Sequence, residues 1–182
     1  MPIYVALLRG VNLGPHKRMK MERLRASFEA LGFEQVQTYI QSGNVIFKTA
    51  KASPQTIARK IEDKIPADFG FPASVVIRTQ QEMEKTISDS PFAKRKGIDL
   101  ARLHVIFLPA PPEPVALKEL ANLTTAPDEC SCTGREIYLH LPNGMSKSSL
   151  VNNPIERRHL KGATTRNWQT VNKIFEMCQA CA

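Results

Sequence analysis

The chain has 182 residues, 42% of them hydrophobic, and a formal net charge of +8. That is enough apolar content to bury a real core, as one large domain or two small halves, and the charge excess favours anionic partners. No apolar run approaches the ~18 residues that span a bilayer, and the apolar start Ile3–Leu8 is too short for a signal segment, so a soluble cytoplasmic protein without membrane contact is expected.

Taken in chain order, Ile3–Arg9 is apolar on both faces and predicts a central strand. A helix follows from about Met21 to Leu31, with Leu24, Phe28 and Leu31 on one stripe and Gly32 as its stop. "VQTYIQSGNVIFK" reads as a hairpin turning at Ser42-Gly43. Ser53-Pro54 opens a second helix as N-cap and first-turn proline, turning Ile57, Ile61 and Ile65 inward before Pro66. "ASVVIR" supplies a fourth strand. Strand, helix, hairpin, helix, strand is the split βαβ arrangement of a ferredoxin-like half over residues 1–78. The apolar faces of its first strand imply cover from a second half.

That half, residues 79–182, starts with the capping-box pattern Thr79-Gln-Gln-Glu82 and a helix to about Asp89. "LHVIFL" is a strand, "PAPPEP" leads into a short helix through Leu117 and Leu120, and "DECSCTGREIYLHL" is a hairpin turning at Thr133-Gly134. Thr164 or Thr165 is expected to cap the last helix, which carries Trp168, Val171, Ile174, Phe175 and Cys178 on one stripe. The fold class expected is α+β, a ferredoxin-like βαββαβ half packed against a second related α/β half.

Positive charge is uneven. Residues 1–78 hold 12 Lys and Arg against 6 Asp and Glu, and residues 79–182 hold 13 against 11. Two segments are dense: Lys17, Arg18, Lys20, Arg23 and Arg25 against Glu22, and Lys147, Arg157, Arg158, Lys161 and Arg166 against Glu156. Each is either a solvated face or an anion-binding surface.

Three polar patches stand out. Gly10-Val-Asn-Leu-Gly14 lies between a strand and a helix, where it serves either as a phosphate cradle or as a plain turn; it fits neither nucleotide-binding glycine fingerprint. "GMSKSS" at 144–149 superficially matches the phosphate loop of class I aminoacyl-tRNA synthetases, but Gly144 replaces the first lysine and the partner motif is missing. What survives is Lys147 with three hydroxyls able to donate to an oxyanion, or a Ser-rich helix start. In "ATTRNWQTV", Arg166 and Asn167 are expected in a first helical turn, where an arginine runs against the dipole. Trp168 is either a core anchor or a stacking surface for a base.

Catalytic groupings are weak. His16, His104, His140 and His159 show no metal spacing, and His104 and His140 fall on strands. Cys130, Cys132, Cys178 and Cys181 form two close pairs that are expected to be free thiols, so neither a metal nor a cofactor is expected.

"LLRGVNLG", "MKMERLRASFEALGFEQVQTYIQSGNVIF", "YLHLPNGMSKSSL" and "TTRNWQTVNKI" together resemble the bacterial family of proteins of unknown function numbered 1697. Arg9, Gly10 and Asn12 match its opening motif, Tyr39 to Asn44 its hairpin motif, and Thr164, Arg166, Asn167, Trp168 and Thr170 its closing motif. Gly14-Pro15-His16 departs from the family's Gly-rich first loop. The resemblance supports the fold and the choice of site without supplying a reaction.

The site expected from these motifs comprises Arg9, Asn12, Lys20, Gln41, Ser42, Asn44, Ser146, Lys147, Arg166, Asn167 and Trp168. They are expected to meet in a basic, donor-rich cleft between the halves that binds nucleic acid or a phosphate-containing ligand. Alternatives are a protein-interaction or structural role, and an enzyme acting on a phosphorylated small molecule.

Overall fold

The computed structural model of the chain describes residues 1–150 and 155–181, with the side chains of Glu156 and Arg157 outside that description. Two compact units emerge, residues 1–84 with 173–182 and residues 85–172. The chain's last ten residues therefore belong with its beginning.

The first unit contains β1 (Ile3–Leu8), α1 (Met21–Ala30), β2 (Glu34–Tyr39), β3 (Asn44–Lys48), α2 (Pro54–Phe69) and β4 (Val75–Thr79). Its sheet runs in the order β2-β3-β1-β4 with antiparallel neighbours throughout, the split βαβ topology that the element order implied. Tyr4, Ala6 and Leu8 point from β1 into a core with Leu24 and Phe28 of α1 and with Ile57, Ile61 and Ile65 of α2. Each buried isoleucine contributes about 2 kcal/mol by leaving water. Phe33 stacks on Phe47 at 4.6 Å, and Phe28 meets Phe47 edge-on.

The capping chemistry explains where these helices begin and end. Ser53 accepts the Thr56 N–H at 3.1 Å, and Pro54 sits in the first turn, where its missing N–H costs nothing. The helix runs on through Pro66 to Phe69, ending at Gly70 in the left-handed conformation, whose N–H bonds the Pro66 carbonyl at 2.9 Å. Thr79 and Glu82 form a complete capping box at the head of α3 (Gln80–Ser88).

β1 is buried along its whole length on both faces, as its unbroken apolar run requires. On the face away from α1 and α2, the row Gln37, Ile46, Val5, Arg78 crosses the sheet. The chain's end lies beside it, with Gln37 Nε2 donating to Cys181 Sγ at 3.1 Å.

The second unit repeats the plan with β5 (Leu103–Phe107), α4 (Pro114–Leu123), β6 (Glu129–Thr133), β7 (Glu136–His140), α5 (Ile155–Arg158) and β8 (Thr164–Asn167), before α6 (Trp168–Ala180). Sheet order is β6-β7-β5-β8, again antiparallel. Ile106, Leu108, Leu120, Leu139, Leu150 and Leu160 belong to its core.

Here the structure corrects one expectation. Thr164 and Thr165 are strand residues, not helix caps, and Arg166 is paired with Val105 rather than lying in a first helical turn. β-branched threonines suit a strand, and the ladder to β5 outweighs their capping tendency. The cap is Asn167, whose Oδ1 accepts the Thr170 N–H at 2.8 Å. The supposed clash between Arg166 and the helix dipole therefore disappears.

Register exposes a closer repeat than the sequence does. Val5 pairs with Arg78, and Val105 pairs with Arg166; each arginine is buried and directly precedes the residue that caps the next helix. Leu8 N–H bonds the Gly43 carbonyl at 2.8 Å, and Leu108 N–H bonds the Arg135 carbonyl at 2.9 Å. Past that point the units diverge. Arg9 N–H bonds the Ser74 carbonyl at 2.9 Å, whereas the chain after Leu108 continues with Pro109, which has no N–H to give.

Candidate functional site

The divergence falls on the loop joining β1 to α1. Its twelve residues from Arg9 to Lys20 include Arg9, Lys17, Arg18 and Lys20 and no carboxylate. Gly10 has a φ of 66°, a conformation that glycine adopts without strain, and lets the chain turn as it leaves the sheet. Val11 and Met19 are buried and anchor the two ends, while the residues from Leu13 to Arg18 are exposed.

Asn12 holds this loop in place. Its Nδ2 donates to the carbonyls of Met19 at 3.0 Å and Gln41 at 2.8 Å, and its Oδ1 accepts the Met19 N–H at 2.7 Å. Its own N–H bonds the Lys17 carbonyl at 2.8 Å. One side chain thus ties both limbs of the loop to the β2–β3 hairpin, and its positive φ of 56° suits asparagine better than most residues.

The hairpin tip is fitted to the same place. Gly43 has a φ of 75°, and a Cβ there would stand 2.8 Å from both Leu8 Cβ and Val11 Cγ2. Only glycine allows the turn to press so closely on the end of β1. Asn44 is fully buried and donates to the Tyr39 carbonyl at 3.0 Å and to Ser42 Oγ at 2.8 Å. Ser42 and Asn44 thus close the turn, while the Gln41 side chain remains exposed.

Loop and tip together enclose an open concavity of about 590 Å³ lined by Asn12, Gly14, Pro15, Arg18, Met19, Lys20 and Gln41. No carboxylate lines it. Lys17, Arg18 and Lys20 are exposed and form no ion pair among the described residues. Arg9 is half-buried at the strand's end. Electrostatically, the concavity is a positive surface with donors and no internal neutralisation.

The sequence of residues 1–138 matches the family described as "Protein of unknown function (DUF1697)". The chain belongs to that family. A solved structure with a similar fold is that of the conserved bacterial protein SP0830 from Streptococcus pneumoniae, at 24% identity and a TM-score of 0.77, covering 97% of this chain and 98% of that one. No curated protein matches the chain.

Within the DUF1697 match lie the opening and hairpin motifs, the two that Asn12 joins. The closing motif falls beyond residue 138. Its Arg166 is only 7% exposed, and its guanidinium donates to Thr164 Oγ1 at 2.7 Å and the Thr165 carbonyl at 2.8 Å. Burial pulls its pKa down to about 10. Trp168 is buried in the core, and Asn167 is engaged in capping.

Ser146 and Lys147 are exposed on a single 3₁₀ turn, Met145–Lys147, that starts from Gly144 at a φ of 85°. Among the described residues no helix is long and apolar enough to cross a membrane.

Sequence reasoning singled out Asn12, Lys20 and Gln41, which the structure brings together. It noted Lys17 and Arg18 as charge and Gly14 as the end of a possible phosphate cradle but did not place them at the site, and it missed Pro15 and Met19. Asn12's reach across the loop is a tertiary fact, and it ties the loop to the hairpin.

It also missed a cluster in the second unit. Arg95 makes a two-oxygen contact with Glu129 at 2.9 and 2.7 Å, and Glu129 bonds His140 Nδ1 at 2.9 Å. His140 and Arg95 hold the Glu129 carboxyl below its usual range. Arg158 and His159 share Glu119 in the same way, at 2.7 and 2.8 Å. The exposed arginines named here are thus neutralised locally.

Proposed function

We propose that the first unit binds a ligand through its phosphate groups, a nucleic acid or a nucleotide-like molecule, at the concavity between the β1–α1 loop and the hairpin tip. The observation that carries this is the set of Lys17, Arg18 and Lys20, exposed and without ion-pair partners among the described residues, around a concavity lined by no carboxylate. Cations left unpaired in a fixed loop attract anions and release counterions when one binds. Asn12 fixes the loop beforehand, so little ordering entropy is lost on binding. Gln41 adds an exposed amide that can donate or accept.

The test is fluorescence anisotropy with labelled oligonucleotides over a salt series, beside a thermal-shift screen of nucleotides. Affinity should fall steeply with salt, and removing Arg18 or Lys20 should reduce the slope of log K against log salt by about 1 each. A salt-independent signal that Arg18→Ala and Lys20→Ala leave unchanged would overturn the proposal.

A further inference from the structure

Two large apolar side chains stand in water beside residues that line this concavity, one in the loop and one in the hairpin tip. Leu13 lies between the lining residues Asn12 and Gly14 and is 84% exposed. Ile40 directly precedes the lining residue Gln41 and is 48% exposed. Neither lines the concavity itself.

Ile40 also has a φ of 49°. A β-branched residue held there is strained, which glycine or asparagine would avoid. An isoleucine with half its surface in water recovers only part of that cost by burial. Its use therefore lies outside the fold.

From this arrangement, and resting on the phosphate reading above, we infer that the ligand is single-stranded nucleic acid, with phosphates on Arg18 and Lys20 and base faces packed on Leu13 and Ile40. A single strand presents phosphates and open base faces in alternation. A duplex hides its base faces in the stack, and inorganic polyphosphate has none. A mononucleotide held within the concavity would leave the two tips unused, because they stand outside its lining; a strand crossing from loop to hairpin meets both. Apolar contact with base faces is tolerant of sequence, since every base has one.

The test measures anisotropy of labelled oligothymidylate and oligouridylate of about eight nucleotides, a duplex of equal length, and competition by inorganic polyphosphate and by an acidic peptide. The proteins compared are the full chain, Leu13→Ser, Ile40→Gly and the double variant Arg18→Ala/Lys20→Ala. Single strands should bind at least about 10-fold tighter than duplex or polyphosphate, and each tip variant should weaken single-strand binding by about 5-fold as apolar burial is lost. Ile40→Gly should at the same time raise Tm by relieving strain, which separates lost binding from lost folding. Equal affinity for single strand, duplex and polyphosphate, with only Arg18→Ala/Lys20→Ala weakening it, overturns this inference and leaves the phosphate reading intact. Absence of binding to every polyanion overturns both. Binding of the acidic peptide but of no nucleic acid overturns the inference as well.

Discussion

The two units share one topology and differ at one end of it. In the first, the link from β1 to α1 is a twelve-residue basic loop stapled by Asn12, and the neighbouring hairpin has the four-residue tip Ile40–Gly43 between the paired Tyr39 and Asn44. In the second, the link from β5 to α4 is the proline-rich Pro109–Glu113, and the hairpin turns in two residues, Gly134 and Arg135, between the paired Thr133 and Glu136. Exposed arginines of the second unit pair with Glu119 and Glu129, while Lys17, Arg18 and Lys20 of the first have no such partner among the described residues. Two copies of one scaffold thus separate what the fold needs from what it does not. The buried sheet rows recur, and the basic loop and the long tip do not, so these are the features to ascribe to function.

The equivalence of the sheets is tested most severely at the buried arginines. Arg78 is the largest fully buried side chain in the described chain, and Arg166 holds the same register position in its own sheet. Replacing either with alanine leaves a cavity and should cost about 3 kcal/mol or more. Urea denaturation of both variants checks this, and a loss confined to one of them would break the structural equivalence.

The hairpins should respond unequally. Gly43→Ala places a methyl group 2.8 Å from Leu8 and Val11 at a positive φ, and should lose about 3 kcal/mol. Gly134 has a φ of 60° with its nearest atom, Glu136 Oε2, 4.0 Å away, so Gly134→Ala should lose only the conformational part, about 1 kcal/mol. Similar midpoints for the two variants would show that the first tip is not tightly seated.

Asn12→Ala has no counterpart in the second unit. It removes two donated hydrogen bonds and one accepted bond, and should cost about 2 kcal/mol while loosening the loop. Oligonucleotide affinity measured well below the melting temperature should fall further than in Ser146→Ala, a matched surface change in the second unit.

Alkaline pH gives a further test, and here the units should agree. Burial pushes the thiol of Cys130 up to about 11 and that of Cys178 up to about 12, from an ordinary value near 9. Each buried thiol stays protonated in the folded state after the unfolded chain has ionised. Its contribution is therefore whole below pH 9 and is lost as pH rises through these values. Arg166 works the other way above about 10, because the unfolded chain holds that proton longer. Melting curves from pH 8 to 11 should show stability falling, and Cys130→Ala or Cys178→Ala should each flatten the fall. Identical pH profiles in wild type and both variants would refute the assignment.

Most of the local structure was legible. Ser53-Pro54, Thr79 with Glu82, Gly32 and the apolar stripes announce their helices because capping and periodicity depend on residues a few positions apart. The closing motif misled for the complementary reason. Thr164-Thr165-Arg166 carries both capping and strand tendencies, and the choice was made by pairing with Ile106 and Val105, some sixty residues away.

What the sequence determined by itself was the element order, the split βαβ plan of its first half, the family, and the basic loop as a place of interest. Tertiary structure alone decided that Arg166 lies buried in a sheet, that residues 173–182 join the first unit, and that Asn12 bridges to Gln41 and seats the loop against the hairpin. The division has one physical cause. Turns, caps and alternation are properties of neighbouring residues, whereas burial, register and a side chain's distant partner exist only once remote segments have met.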